Sequence, residues 1–199
     1  MKRSARPGRF AAQARGLAIG LATWLTGAGC RELGQWGSAT APSTEIPAAS
    51  QPNDLACPSL GAWADGSASF EQEVVARVNQ QRARGASCGS RGTFAAQSPM
   101  ATHAGLTCVA RAFAKDMHDH EYFSHTDLAG RSPFDRLQAA GIAFRAASEN
   151  IAQGQRTPAE VVDVWMHSDD HCANIMGSYA FLGVGFFANT WVQDFATMR

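Results

Sequence analysis

Apolar residues recur at helical spacing from His103 onward: Leu106, Val109, Ala110, Phe113 and Met117 stand at i, i+3, i+4, i+7 and i+11. Such a stripe predicts a core-facing helix over residues 103–120. An earlier helix is predicted from Ser69, where Ser69 and Gln72 have capping-box spacing and Glu71 and Glu73 suit the positive helix end. Phe70, Val74, Val75 and Val78 give it one apolar face, and Gly85 ends it. Residues 86–100 read as a loop. Ser132-Pro133 predicts a short helix with Phe134 and Leu137 facing inward and Gly141 at its end. Ile142, Ala143 and Phe144 then read as the start of a strand. Thr157-Pro158 with Glu160 opens a further helix whose apolar face is Val161, Val164 and Trp165. Residues 181–188 and 191–196 read as a hairpin joined by Asn189-Thr190, a turn without glycine. Helices first and strands late predict an α+β fold with an antiparallel sheet.

The N-terminal part follows different rules. Residues 1–15 are basic, and residues 16–29 are apolar and uncharged. That run is too short to span a bilayer, and a basic segment before a short apolar one describes an export signal. Gly27-Ala28-Gly29 before Cys30 resembles a bacterial lipoprotein cleavage site, with Gly27 where Leu is usual. Cys30 is therefore the candidate lipidation site, against ordinary cleavage that would leave it an odd thiol. Residues 30–68 are rich in Ser, Pro and Ala and read as a flexible tether. The folded domain is expected over 69–199, standing on a membrane-anchored lipoprotein or, without acylation of Cys30, secreted.

Charge narrows the partners. The formal net charge is zero, but five of the 17 basic residues lie in the first thirty positions, where there is no acid. The remainder carries 12 basic against 17 acidic residues, which excludes an electrostatic footprint for nucleic acid or a polybasic lipid patch. Membrane association is expected only through the anchor.

Five cysteines occur. With Cys30 lipidated, Cys57, Cys88, Cys108 and Cys172 remain, an even set that predicts two disulfides in an exported chain. Three pairings are open. No pair has CxxC spacing, which argues against a zinc ribbon or a thioredoxin-like site.

Candidate chemistry rests on His125, Glu149 and His171. Each follows or enters an apolar segment, so each is placed to project from the rim of the core into a shared cleft. Two imidazoles and a carboxylate suit a divalent metal such as zinc with water in the open fourth position. They equally suit a His–Glu pair in which the carboxylate orients an imidazole. His118 and His120 read as helix-end residues. His167 and His171 have i, i+4 spacing without the Glu of HExxH. Glu160 reads as a cap, and Asp169-Asp170 as a solvated turn. Ser124 and Ser168 lie near the histidines, and neither has nucleophile-elbow context.

From Ser69 onward the chain resembles the bacterial branch of the CAP superfamily of cysteine-rich secretory, antigen 5 and pathogenesis-related 1 proteins. The resemblance is carried, in order, by Val75-Ala76-Arg77-Val78-Asn79, Tyr122-Phe123-Ser124-His125-Thr126 and Gly130-Arg131-Ser132-Pro133. Ser148-Glu149-Asn150-Ile151-Ala152, Trp165-Met166-His167-Ser168, His171-Cys172-Ala173-Asn174 and Trp191-Val192-Gln193-Asp194-Phe195 follow. It implies an α–β–α sandwich with a central antiparallel sheet between helical layers. It also implies a cleft lined, in animal and plant members, by two histidines and two acids. His125, Glu149 and His171 match three of those positions, whereas Ser168 stands at the second acid and Ser148 replaces the usual Gly before Glu149. Asp170 is the nearest substitute acid. The resemblance further implies Cys88–Cys172, leaving Cys57–Cys108.

The functional expectation is a binding module whose cleft takes a small apolar, peptide or cell-envelope ligand, with a metal at His125 and His171 and Glu149 as a third ligand. The alternative is an extracellular hydrolase, metal-dependent or assisted by His125, Glu149 and His171.

Overall fold

The computed structural model describes Cys57 and residues 60–199; the leader, Cys30 and most of the tether lie outside the described residues. The first helix, α1, spans Asp65–Arg84 and starts four residues before the expected Ser69. Its N-cap is Ala64, without a side-chain cap. Burial overrides the local signal: Ala68 is in the core, and Glu71 is buried instead of serving the helix end. Glu71 takes Nε and Nη2 of Arg111 and the indole N–H of Trp63, which fastens the segment before α1 to the body.

The loop that follows is more ordered than predicted. A two-residue ribbon, β1 Ala86–Ser87 with β2 Thr93–Phe94, encloses a 3-10 turn at Gly89–Arg91, and β3 Ala101–Thr102 comes next. The second helix, α2, spans Ala104–Asp119, with His103 capping Leu106 N–H and His120 as the C-cap. Four of the five stripe residues, Leu106, Ala110, Phe113 and Met117, are in the core, and Val109 is partly buried at its edge. Helix α3 spans Pro133–Ala139 and carries the capping box between Ser132 and Asp135. Leu137 is fully buried as expected, but Phe134 is 45% exposed, on the first turn with its ring against Phe144.

Strand β4 runs Phe144–Gln153, so Ile142 precedes it and Glu149 lies inside it. Helix α4 spans Pro158–Met166 behind its Thr157 cap. Val164, expected on the apolar face, is 44% exposed. A separate helix, α5, spans Asp169–Met176 and contains His171, which the sequence placed beyond helical structure. Strands β5 Phe181–Phe187 and β6 Thr190–Met198 close the chain. Their turn is Ala188-Asn189, not Asn189-Thr190, and both residues have positive φ (47° and 65°). That is the primed turn whose twist matches a hairpin, and the Asn side chain eases its left-handed position.

The main sheet has the order β3-β5-β6-β4. Three strands are antiparallel; the short β3 pairs parallel with β5, so the sheet is mixed at one edge. One face packs Leu182, Val184, Trp191 and Phe195 against α1, α4 and α5. The other packs Val192, Ala196 and Ile151 against α2 and α3. This is the expected α–β–α sandwich. Gly183 and Gly185 let α2 approach, since a Cβ on either would lie 2.2–2.3 Å from α2 backbone atoms. Cys57–Cys108 and Cys88–Cys172 are the two disulfides, the pairing the resemblance implies. No described helix is long and apolar enough to cross a membrane.

Candidate functional site

The site forms along β4, an edge strand of the main sheet. Alternation points Glu149 to the α2 face and its neighbours Ser148 and Asn150 to the α4–α5 face. In register, Glu149 faces Asp194 of β6, and Asp194 faces Gly183 of β5. Two carboxyls are thereby set side by side beneath α2.

His125 arrives on the loop between α2 and α3. That loop is built on Asp127, whose Oδ1 accepts from Ala129 N–H and Arg131 N–H and whose Oδ2 accepts from Arg131 Nε. Tyr122 OH bonds Asp116 of α2 and tethers the loop's start. Arg136 of α3 then reaches back: its Nη1 donates to the carbonyls of His125 (2.9 Å) and Arg131 (3.1 Å). The same guanidinium stacks on Phe113, 3.4 Å from the ring centroid.

His125 and Arg136 meet at Glu149. His125 Nδ1 is 2.7 Å from Oε1, and Arg136 Nη2 is 2.5 Å from Oε2. The Glu149 side chain is 1% exposed and that of His125 is 50% exposed. A carboxylate only accepts, so His125 carries its proton on Nδ1 and leaves Nε2 as the acceptor nitrogen. Asp194 is buried behind them, and neither of its oxygens has a hydrogen-bond partner. Burial, reinforced by the Glu149 charge, pushes its carboxyl well above the usual range; Arg136 offsets this only in part.

His171 comes from the opposite face. Its helix is held by Ser90, whose N–H and hydroxyl both donate to Asp169, and by the Arg91–Asp170 pair at 2.5 Å. Asp169-Asp170 is thus a docking element for the 3-10 turn and not a free turn. Arg82 donates to the carbonyls of Ile175 and Gly177, both at 2.7 Å, at the other end of α5. Asn150 Nδ2 donates to His171 C=O, and Asn174 Nδ2 to Asn150 Oδ1. His171 Nδ1 is buried and has no partner. Burial, then the nearby charge of His125, lowers the His171 pKa, against a smaller opposing effect of Asp170.

The structure therefore joins His125 to Glu149 directly and sets His171 within electrostatic reach of His125. Ser168 is the N-cap of α5 without a side-chain capping bond. Ser124 Oγ accepts from Thr126 N–H and is committed to the loop. Sequence reasoning missed Arg136 and Asp194. An acid at an inward position of a buried strand, as in Val192-Gln193-Asp194-Phe195, was the available signal for Asp194. Arg136 gave no such signal, because an Arg on a short amphipathic helix is ordinarily solvated.

The donor set does not fit zinc with Glu149 as a ligand. Among the described residues no three His, Cys, Asp or Glu side chains are grouped to hold a metal ion. The local reason is that buried Glu149 is already neutralised by the Arg136 guanidinium, against which a metal would be a second cation. Two cavities flank the site. One of about 240 Å3 lies between α2 and the His125 loop, against Phe113, Asp127 and Arg136. A more open groove of about 640 Å3 is lined by His118, Glu121, Tyr122 and Phe123. Neither is lined by His125 or His171.

Comparison with known proteins agrees with this architecture. The chain is 36% identical over 129 residues to YkwD of Bacillus subtilis strain 168, covering 63% of this chain and 46% of that protein. It is 34% identical over 88 residues to the membrane protein YlbC of the same organism, covering 44% and 25%. It thus spans less than half the length of these curated relatives. The crystal structure of an extracellular SCP-domain protein from Bacillus anthracis strain Ames superposes with a TM-score of 0.58 at 27% identity, over 65% of this chain and 41% of that one. An outer surface protein from Borrelia burgdorferi shares the fold, with a TM-score of 0.54 at 17% identity over 66% and 94%. The model of the cysteine-rich secretory protein family, CAP, matches residues 75–195, and the chain belongs to that family.

Proposed function

We propose that the protein is an exported CAP domain that binds a small apolar or peptidic cell-envelope ligand at the rim formed by the His125 loop and β4. The observation that carries this reading is the closure of Glu149. Its oxygens are taken up in holding His125 and Arg136, and among the described residues no hydroxyl is hydrogen-bonded to His125 as a nucleophile. The stretch of chain that carries His125 exposes Phe123 (49%), Leu128 (68%) and Phe134. Apolar side chains beside one polar anchor are the composition of a ligand site. Two disulfides support an oxidising compartment. An anchor at Cys30 would hold the domain at the envelope, and the Borrelia relative is by its name a surface protein.

A second reading is favoured by one contact. An imidazole oriented by a buried carboxylate at 2.7 Å is a general-base arrangement, so a hydrolase acting through His125 is the alternative. The test titrates the protein with palmitate, a tripeptide and a peptidoglycan disaccharide-peptide, following backbone and imidazole resonances, and screens the same panel with ester and peptide substrates for turnover. Saturable shifts at 122–134 and His125, weakened about tenfold in a Phe123→Ala, Leu128→Ala double variant, are expected. Turnover abolished by His125→Ala would establish the hydrolase instead. For the anchor, Cys30→Ser is expected to move the protein from the detergent phase to the aqueous phase on Triton X-114 partitioning.

A further inference from the structure

We infer that Arg136 occupies the place of a metal cation in this cleft: its guanidinium neutralises Glu149, and the site is organised without zinc. Four observations carry this. The Arg136 side chain is 7% exposed and bonds Glu149 Oε2 at 2.5 Å, which neutralises the charge that would draw a metal. Its Nη1 bonds the backbone carbonyl of His125, so one cation fixes both the carboxylate and the loop that brings the imidazole. Glu149 Oε1 holds His125 Nδ1, completing a chain from Arg136 through Glu149 to His125. The guanidinium packs on the face of Phe113, where a hydrated ion has no counterpart contact.

Charge balance points the same way. One buried guanidinium faces one buried carboxylate, and the second carboxyl, Asp194, sits in register with Glu149 without a cation of its own. Zinc on Glu149 would set a second cation against the buried Arg136 guanidinium around one carboxylate, and like charges that close in a buried site are strongly unfavourable. What remains for a metal is His125 Nε2 and His171, two imidazoles without a charged ligand. Arg136 is thus a positioning residue, acting on His125 through Glu149. The ligand then meets His125 Nε2 directly; only that last step rests on the proposed binding function, and the metal test below needs no ligand.

The experiment is a zinc titration of the oxidised protein by competition with a chromogenic chelator, with His125 imidazole and Arg136 guanidinium 15N resonances as the site-specific readout. Wild type is expected to bind zinc at His125 no more tightly than about 10 μM, with the Arg136 resonances unmoved. Arg136→Lys keeps a cation beside Glu149 without the fork, and is expected to gain less zinc affinity than Arg136→Gln. Arg136→Gln frees Glu149 and is expected to gain about 10–100-fold in zinc affinity at His125, the range by which outer partners tune metal sites. A single tight zinc in wild type, lost in Glu149→Gln, would overturn the inference. So would a folded Arg136→Gln with unchanged zinc affinity. Should Arg136→Gln not fold, the wild-type resonances decide: Arg136 signals that move together with His125 on zinc addition show the guanidinium displaced, and the inference fails.

Discussion

Asp194 and His171 are titratable groups that folding pushes in opposite directions. Asp194 is buried beside Glu149, and its carboxyl is raised well above its ordinary value of 3.8. A carboxyl raised on folding holds its proton more tightly folded than unfolded. Its contribution is fully present below 3.8 and is lost as pH rises through the raised value. Asp194→Asn keeps the neutral shape and is expected to stabilise the domain by on the order of 1–3 kcal/mol at about pH 8, with no gain at about pH 4, in urea titrations at both pH values. His171 behaves oppositely. Burial lowers it below 6.5, so its contribution is present above that value and is lost as pH falls through the folded value. Its imidazole is expected to titrate below 6.5 by NMR, and His171→Gln should flatten the loss of stability between about pH 7 and pH 5. Neither shift is readable from the residue types alone, because each depends on what folding stacks against the group.

At the scale of elements, the decisive contact is α2 on the sheet. Gly183 and Gly185 admit Leu106–Thr107 and Ala110–Arg111 of α2 so closely that a methyl group would meet backbone, which has no rotamer to yield. Gly183→Ala is expected to cost more than about 3 kcal/mol in a urea melt. It should also separate α2 from β4 and break the His125–Glu149 contact, seen as loss of the His125 Nδ1–H signal. The helices themselves were legible: the α2 stripe, the Ser132 cap and the Thr157 cap all appear where residue patterns place them. The start of α1 and the existence of α5 were not. Ala68 and Glu71 are helical because the core takes them in. Asp169-Asp170-His171 reads as polar turn until Ser90, Arg91 and Arg82 hold both ends of α5.

At the scale of the molecule, the disulfides tie the two layers' loops to the site. Cys88–Cys172 links the 3-10 turn to the residue after His171, across a sequence separation of 84. Loop-closure entropy gives such a link about 4–5 kcal/mol. The Cys88→Ser, Cys172→Ser variant is expected to lower Tm and speed amide exchange across 168–176. Contact between His125 and Glu149 should persist, since it is held by Arg136 and the 127–131 turn. Cys57–Cys108 instead fastens the start of the domain to α2, beside Arg111 and Trp63. Loosening at His125 but not at 168–176 on loss of Cys88–Cys172 would show this division to be wrong.

By itself the sequence determined the α+β class, the three capped or striped helices and the late hairpin. Those follow from periodicity and capping, which act between residues a few positions apart. Motif order also carried His125, Glu149 and His171 as candidates. Only the tertiary structure decided that Glu149 is closed by Arg136, that Asp194 lies beside it, and that α5 brings His171 to the same edge. These depend on strand register and on burial, where residues distant in sequence set the charge, the proton position and the free lone pair of one another.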